Sequence, residues 1–201
     1  MESGTVAAVR VGSEATMVAR AQDGDLDAFE YLVNLHQLGL FRFAYRVVQD
    51  RGEAEDVVQD TLVMAWRKLP TLTNPDAFKP WLYQVAHRQS VTVLRARARR
   101  RTQLSATGGD LEQYANSDGH QQQSLNGSAP AQAAETSAQL RTLDALLALL
   151  PVEQRECWVL KEVNDLSYPE ISTILGIPVS TVRGRIARAR RQLSEGMLSW
   201  R

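Results

Sequence analysis

"LSYPEISTILGIPVSTVRGRIARARRQL", residues 166–193, decides the fold of its half of the chain. Ile171, Ile174 and Leu175 recur at helical spacing and make one short apolar face. Gly176 follows, at the position where a helix end needs positive φ. Pro178 opens the next helix, because the first turn has no use for the N–H that proline lacks. Val182, Ile186 and Leu193 set the inward face of that second helix. A short helix, a turn with Gly and a second helix make the helix-turn-helix plan. With Val182 and Ile186 inward, Arg183, Arg188 and Arg190 point elsewhere, and the only acid nearby is Glu195. On such a second helix the first exposed positions face base edges in the major groove, and the flanking ones meet phosphates. Ser180 and Thr181, in its first turn, suit a phosphate contact or a cap. A basic run alone more often marks a solvated surface helix. The Gly-and-Pro turn before it and the shortage of acid move the reading to nucleic acid.

The segments around it extend the helical pattern. "LRTLDALLALL", residues 140–150, carries Leu140, Leu143, Leu146, Leu147 and Leu150 as a stripe, and "PVEQRECWVLKEV", residues 151–163, begins another helix at Pro151. Upstream, residues 102–139 are rich in Gln, Ser, Gly, Ala and Asn, with few large apolar groups to offset the entropy of ordering. They read as a flexible linker. Its 38 residues span ~125 Å fully extended at ~3.3 Å per residue, and ~35 Å relaxed. The two halves therefore suit well-separated sites on a large partner.

The first half is also helical. "DLDAFEYLVNLHQLGLFRFAYRVV", residues 25–48, places Phe29, Leu32, Val33, Leu40, Ala44 and Val47 near helical spacing. "EAEDVVQDTLVMAWRKL", residues 53–69, starts with acids that favour a helix N-terminus. "PTLTNPDAFKP", residues 70–80, has three prolines and reads as a loop. "WLYQVAHRQSVTVLRARARRR", residues 81–101, is a helix ending in a basic run. No segment alternates with period two, so the class is all-α: two small helical domains, 14–101 and 140–201, joined by the linker. Residues 1–13 are expected to be a disordered extension.

Composition narrows the function classes. The 201 residues carry 23 Lys+Arg against 23 Asp+Glu, with no net charge. That zero conceals a division. Glu14, Asp23, Asp25, Asp27, Glu30, Asp50, Glu53, Glu55, Asp56 and Asp60 crowd the first half. "RARARRR" and "VRGRIARARR" concentrate the arginines. No apolar run approaches the ~18–20 residues of a membrane span, and no secretory signal opens the chain. Cys157 stands alone in a periodic helix and reads as a buried structural thiol. With three scattered histidines it forms no metal site at recognisable spacing. No nucleophile–base pairing and no Gly-rich phosphate loop points to an enzyme or a cofactor.

"LPVEQRECWVLKEVNDLSYPEISTILGIPVSTVRGRIARARRQL", residues 150–193, closely resembles region 4 of bacterial sigma factors of the extracytoplasmic-function (ECF) group. "GDLDAFEYLV", "AEDVVQDTLVMAW" and "FKPWLYQVAHRQ" resemble blocks of region 2 of the same family, in the same order. The resemblance covers roughly residues 15–101 and 140–195. It implies a cytoplasmic promoter-specificity subunit for core RNA polymerase, with promoter DNA as the second partner and an anti-sigma factor as a third. A free-standing helix-turn-helix regulator is the alternative, but no dimerisation helix or sensor domain is evident.

The resemblance also implies roles. Asp56, Gln59 and Asp60 match positions that bind the polymerase clamp, and their spacing puts them on one helix face. A loop over Leu72–Phe78 matches the element that reads a flipped-out base of the melted minus-10 element. Within it stand Leu72, Thr73, Asn74, Asp76 and Phe78. Arg88 matches a base-reading position where the family often has Asn. Arg95, Arg97, Arg99, Arg100 and Arg101 suit phosphates of the single strand. Ser180, Thr181, Arg183, Gly184, Ala187 and Arg188 match positions facing the minus-35 duplex. The family often has Ser at Gly184 and a bulkier group at Ala187, so readout is expected to lean on Arg183, Arg188 and DNA shape. The family's linker threads toward the polymerase active-site channel. The mild acidity of Asp110, Glu112, Asp118 and Glu135 fits a nucleic-acid mimic there, and equally fits any soluble linker.

Overall fold

Side-chain caps start the helices of the first lobe. The Ser13 hydroxyl accepts from the Thr16 N–H at 3.3 Å and opens α1, Glu14–Gln22. Asp25 accepts from the Ala28 N–H at 3.1 Å and opens α2, Leu26–Val48. Asp50 accepts from the Glu53 N–H at 2.8 Å and opens α3, Arg51–Lys68. Each cap satisfies an N–H that has no partner inside its own helix. Gln49 makes the sharp turn between α2 and α3 with a left-handed φ of 60°. Two short 3₁₀ turns, Leu69–Thr71 and Pro75–Ala77, lead to α4, Phe78–Ala106.

This computed structural model describes residues 13–106 and 142–198. The extension read at 1–13 lies outside the described residues, except for Ser13 and its cap. So does the linker read at 102–139, except for its first residues. There α4 continues past Arg101 to Ala106, since no strong helix breaker stands before Gly108.

The second lobe has α5 over 142–149, α6 Val152–Glu162, α7 Tyr168–Leu175 and α8 Val179–Leu198. A capping box starts α7: Ser167 accepts from the Glu170 N–H, and the Glu170 carboxylate accepts from the Ser167 N–H at 2.7 Å. Gly176 ends α7 with φ 65°, as the sequence spacing predicts. No strand occurs among the described residues.

The first lobe buries Leu32, Leu40, Phe43 and Val47 of α2 against Val57 and Ala65 of α3 and Leu82, Tyr83 and Ala86 of α4. Each large side chain so buried contributes about 1.5–3 kcal/mol. The same cluster continues into the second lobe through Cys157, Leu160, Ile171, Ile174, Val182 and Ile186. Leu147, Leu150, Ala189 and Leu193 form a smaller one between α5 and α8.

The lobes therefore pack side by side, α2 against α6 and α4 against α7. The long reach of the linker does not by itself foretell this. Polar groups cross the seam as well. Asn164 donates to the Gly39 carbonyl at 3.2 Å and to the Tyr83 hydroxyl at 2.6 Å. His87 meets Glu156 at 3.1 Å, Arg46 pairs with Asp144 at 3.2 Å, and Gln84 donates to the Thr173 carbonyl at 3.2 Å. Burial pushes the Tyr83 hydroxyl up to about 12, so it stays protonated.

Candidate nucleic-acid interface

Helix α8 divides by face. Val182, Ile186, Ala189 and Leu193 are buried. Ser180, Arg183, Ala187 and Arg188 are exposed, with Thr181 and Gly184 half-buried. The Arg183 guanidinium lies over the Tyr168 ring, 5.5 Å from its centroid. Such stacking orients a planar cation while leaving its edge free to donate. A Cβ at Gly184 would meet Arg188 Nη1 at 3.6 Å, an ordinary contact. The Arg188 guanidinium thus reaches back along the helix over Gly184. Arg190, by contrast, is paired to Glu162 at 2.5 Å, and that carboxylate holds its proton more firmly. Cys157 is fully buried against this helix's lobe, and burial pushes its thiol up to about 11.

In the first lobe, Asp56, Gln59 and Asp60 are all exposed on α3, while Ala54, Val57, Thr61 and Ala65 are buried. The three polar groups thus share an outward face, presented by a buried one. A carboxylate pair on an exposed face suits a basic partner surface.

The loop is held at both ends. Asn74 accepts from the Asp76 N–H at 3.1 Å, and Thr73, Asn74 and Asp76 are exposed. Leu72 is half-buried and packs on the core. Phe78 departs from its expected role. It is 2% exposed, with its ring 5.5 Å from His36 and 5.9 Å from Trp81. An aromatic so enclosed anchors the loop's far end and has no face left for a base.

The arginines of α4 also separate. Arg88, Arg95 and Arg99 are exposed. Arg97 is not a free phosphate contact: it donates to the Val48 carbonyl at 3.0 Å and pairs with Glu53. Arg100 reaches the same carboxylate at 3.4 Å. Arg97 therefore binds α4 to the α2–α3 turn. Gln22 went unnoticed in the sequence. Its side-chain amide donates to the carbonyls of Leu69, at 3.0 Å, and Leu72, at 2.6 Å. A glutamine ending a helix gives no local signal for contacts 47 and 50 residues away.

Both lobes match known proteins. The family profile described as Sigma-70 region 2 matches residues 32–100, and that described as Sigma-70, region 4 matches residues 140–193. The chain is 33% identical to an RNA polymerase sigma-H factor of Pseudomonas aeruginosa, over 90% of this chain and 92% of the relative. It is 31% identical to an ECF RNA polymerase sigma-E factor of Escherichia coli, over 90% of this chain and 92% of the relative. Among solved structures it resembles the sigma factor RpoE of Bartonella quintana, in complex with the anti-sigma factor NepR. That match has a TM-score of 0.67 and 26% identity, over 88% of this chain and all (100%) of the other. It also resembles CnrH in complex with the cytosolic domain of CnrY, with a TM-score of 0.63 and 26% identity over 94% and 99% of the two chains. An exposed arginine face in one lobe, an acidic face in the other and matches spanning both lobes lead to one conclusion: the chain belongs to the ECF group of sigma-70 family RNA polymerase sigma factors.

Proposed function

We propose that this chain, an alternative sigma factor directing promoter-specific initiation, divides the task between its lobes. Asp56, Gln59 and Asp60 bind the clamp of core RNA polymerase. Thr73, Asn74 and Asp76, with Leu72 behind them, receive the unstacked base of the minus-10 element, and Arg88, Arg95 and Arg99 follow its backbone. Ser180, Thr181, Arg183, Gly184, Ala187 and Arg188 lie along the minus-35 duplex, with Arg183 and Arg188 supplying the side-chain readout. Phosphodiester chemistry is left to the polymerase, so the chain itself is no enzyme. It works in the cytoplasm, and no helix among the described residues is long and apolar enough to cross a membrane. An anti-sigma factor binds it, as NepR binds RpoE of Bartonella quintana in the solved complex.

The observation that carries this reading is the double face: exposed arginines on α8 backed by core residues, and an exposed acidic face on α3 in the other lobe. The test mixes purified chain with core polymerase and a randomised promoter library, then sequences the run-off transcripts. Initiation at templates sharing two spaced elements is expected. Duplex binding without polymerase, and no initiation with it, would favour a free-standing regulator.

A further inference from the structure

We infer that Gln22 is a positioning residue for minus-10 readout, acting through the carbonyls of Leu69 and Leu72. The inference rests on the reading of 72–78 as the base-reading loop. Gln22 is the last residue of α1. Its one NH₂ group carries two hydrogens, and two carbonyls take them, at 3.0 and 2.6 Å. Both partners are acceptors, so only one orientation of the amide fits. Leu69 is buried and begins the first 3₁₀ turn, whereas Leu72 is the last residue before exposed Thr73 and Asn74. The amide thus fixes the point from which the exposed part of the loop departs.

The strut behind Gln22 is itself anchored. Met17, Val18 and Ala21 of α1 are buried, and Glu14 meets the buried His36 at 3.0 Å. Helix α1 packs on both 3₁₀ turns, the one before the loop and the one within it. Phe78 and the Asn74–Asp76 contact secure the other end. A loop fixed at both ends loses little freedom when a base enters, and preorganisation of this kind appears as affinity and as discrimination. Gln22 touches no nucleic acid in this account. It sets where Thr73 and Asn74 stand.

The test uses the full chain bound to core polymerase and a fluorescent single-stranded oligonucleotide of the non-template minus-10 element, with each base in turn at the flipped position. Gln22→Met keeps the length and removes the donors. Gln22→Glu keeps the shape and turns an acceptor toward both carbonyls. We expect about a tenfold loss of single-strand affinity in Gln22→Met, more in Gln22→Glu, and a flattened preference between bases. Polymerase affinity and minus-35 duplex binding stay at wild-type values. Hydrogen exchange rises at 72–76 and not elsewhere. Wild-type affinity and base preference in both variants overturn the inference. So does an equal loss of single-strand, duplex and polymerase binding, which marks a general fold defect. Wild-type complexes that show no base preference at all overturn the loop assignment itself, and the inference with it.

Discussion

Arg155 Nη2 donates to the Val47 carbonyl at 2.9 Å, across 108 residues of sequence and from one lobe into the other. Its Nη1 donates to the carbonyls of Leu147 and Ala148 at 3.2 and 3.3 Å. One guanidinium thus caps the C-terminal ends of α2 and α5 together. The side chain is 7% exposed, and burial pushes its pKa down. Arg155→Met leaves these carbonyls without their donor, at a cost of about 1–3 kcal/mol for a buried acceptor. The variant should melt at lower temperature and scatter as a larger particle. Arg155→Lys should not restore it, because a point ammonium lacks the planar fork. Unchanged melting and small-angle scattering in Arg155→Met would sink this account of the seam.

Gly39 allows the seam to close from the other side. A Cβ there would lie 2.6 Å from the Tyr83 hydroxyl and 3.4 Å from Asn164 Nδ2. Gly39→Ala must displace the Tyr83–Asn164 pair, and crowding of this kind costs about 1–3 kcal/mol. Although alanine favours the helix, the net effect should be destabilising. A urea midpoint at or above that of the wild type would refute the crowding argument.

The pH dependence follows from His36. Burial holds its pKa below the usual 6.5, with Lys79 adding to the effect and Glu14 opposing it. The unfolded chain therefore binds this proton at higher pH than the folded one. The stability involved is fully present above about pH 6.5 and is lost as pH falls through the lower folded value. The melting temperature should drop between pH 7.5 and 5.5, and the drop should shrink in His36→Gln. Equal slopes for the two proteins would assign the effect to other groups.

Two arginines should behave oppositely. Arg183→Ala removes an exposed guanidinium near the start of α8, which we propose faces base edges, and each lost base contact is worth about 1–3 kcal/mol. Promoter-driven transcription should fall while polymerase binding holds. Arg97→Ala removes the tie to Val48 and Glu53. It should lower thermal stability and leave the salt dependence of DNA binding unchanged. Run-off transcription, pull-down on core polymerase and salt titration of duplex binding separate the two. A matching loss of transcription and pull-down in Arg183→Ala would contradict its assignment to DNA.

The helix-turn-helix was legible because its determinants are local. Gly176 must take positive φ, and Val182 and Ile186 repeat one turn apart beneath the arginines. The exposed Asp56, Gln59 and Asp60 were legible for the same reason. Other features depend on partners far along the chain. Phe78 reads as the last residue of the loop matched to base reading until α2 supplies His36 beside it. Arg97 reads as one member of a basic run until Glu53 arrives from α3. Spacing within a helix says which face a side chain takes, and nothing about what meets it there.

The cross-lobe bonds have one more consequence. Arg155, Asn164, Gln84, His87 and Arg46 contact carbonyls, a hydroxyl and carboxylates that water also satisfies. Separating hydrocarbon from hydrocarbon has no such substitute. For these polar groups, parting the lobes is an exchange of partners, with about 0.5–1.5 kcal/mol net at each ordinary hydrogen bond. Part of this junction is thus written in a chemistry that solvent can erase and restore. The apolar cluster that runs through both lobes has no such exchange of partners.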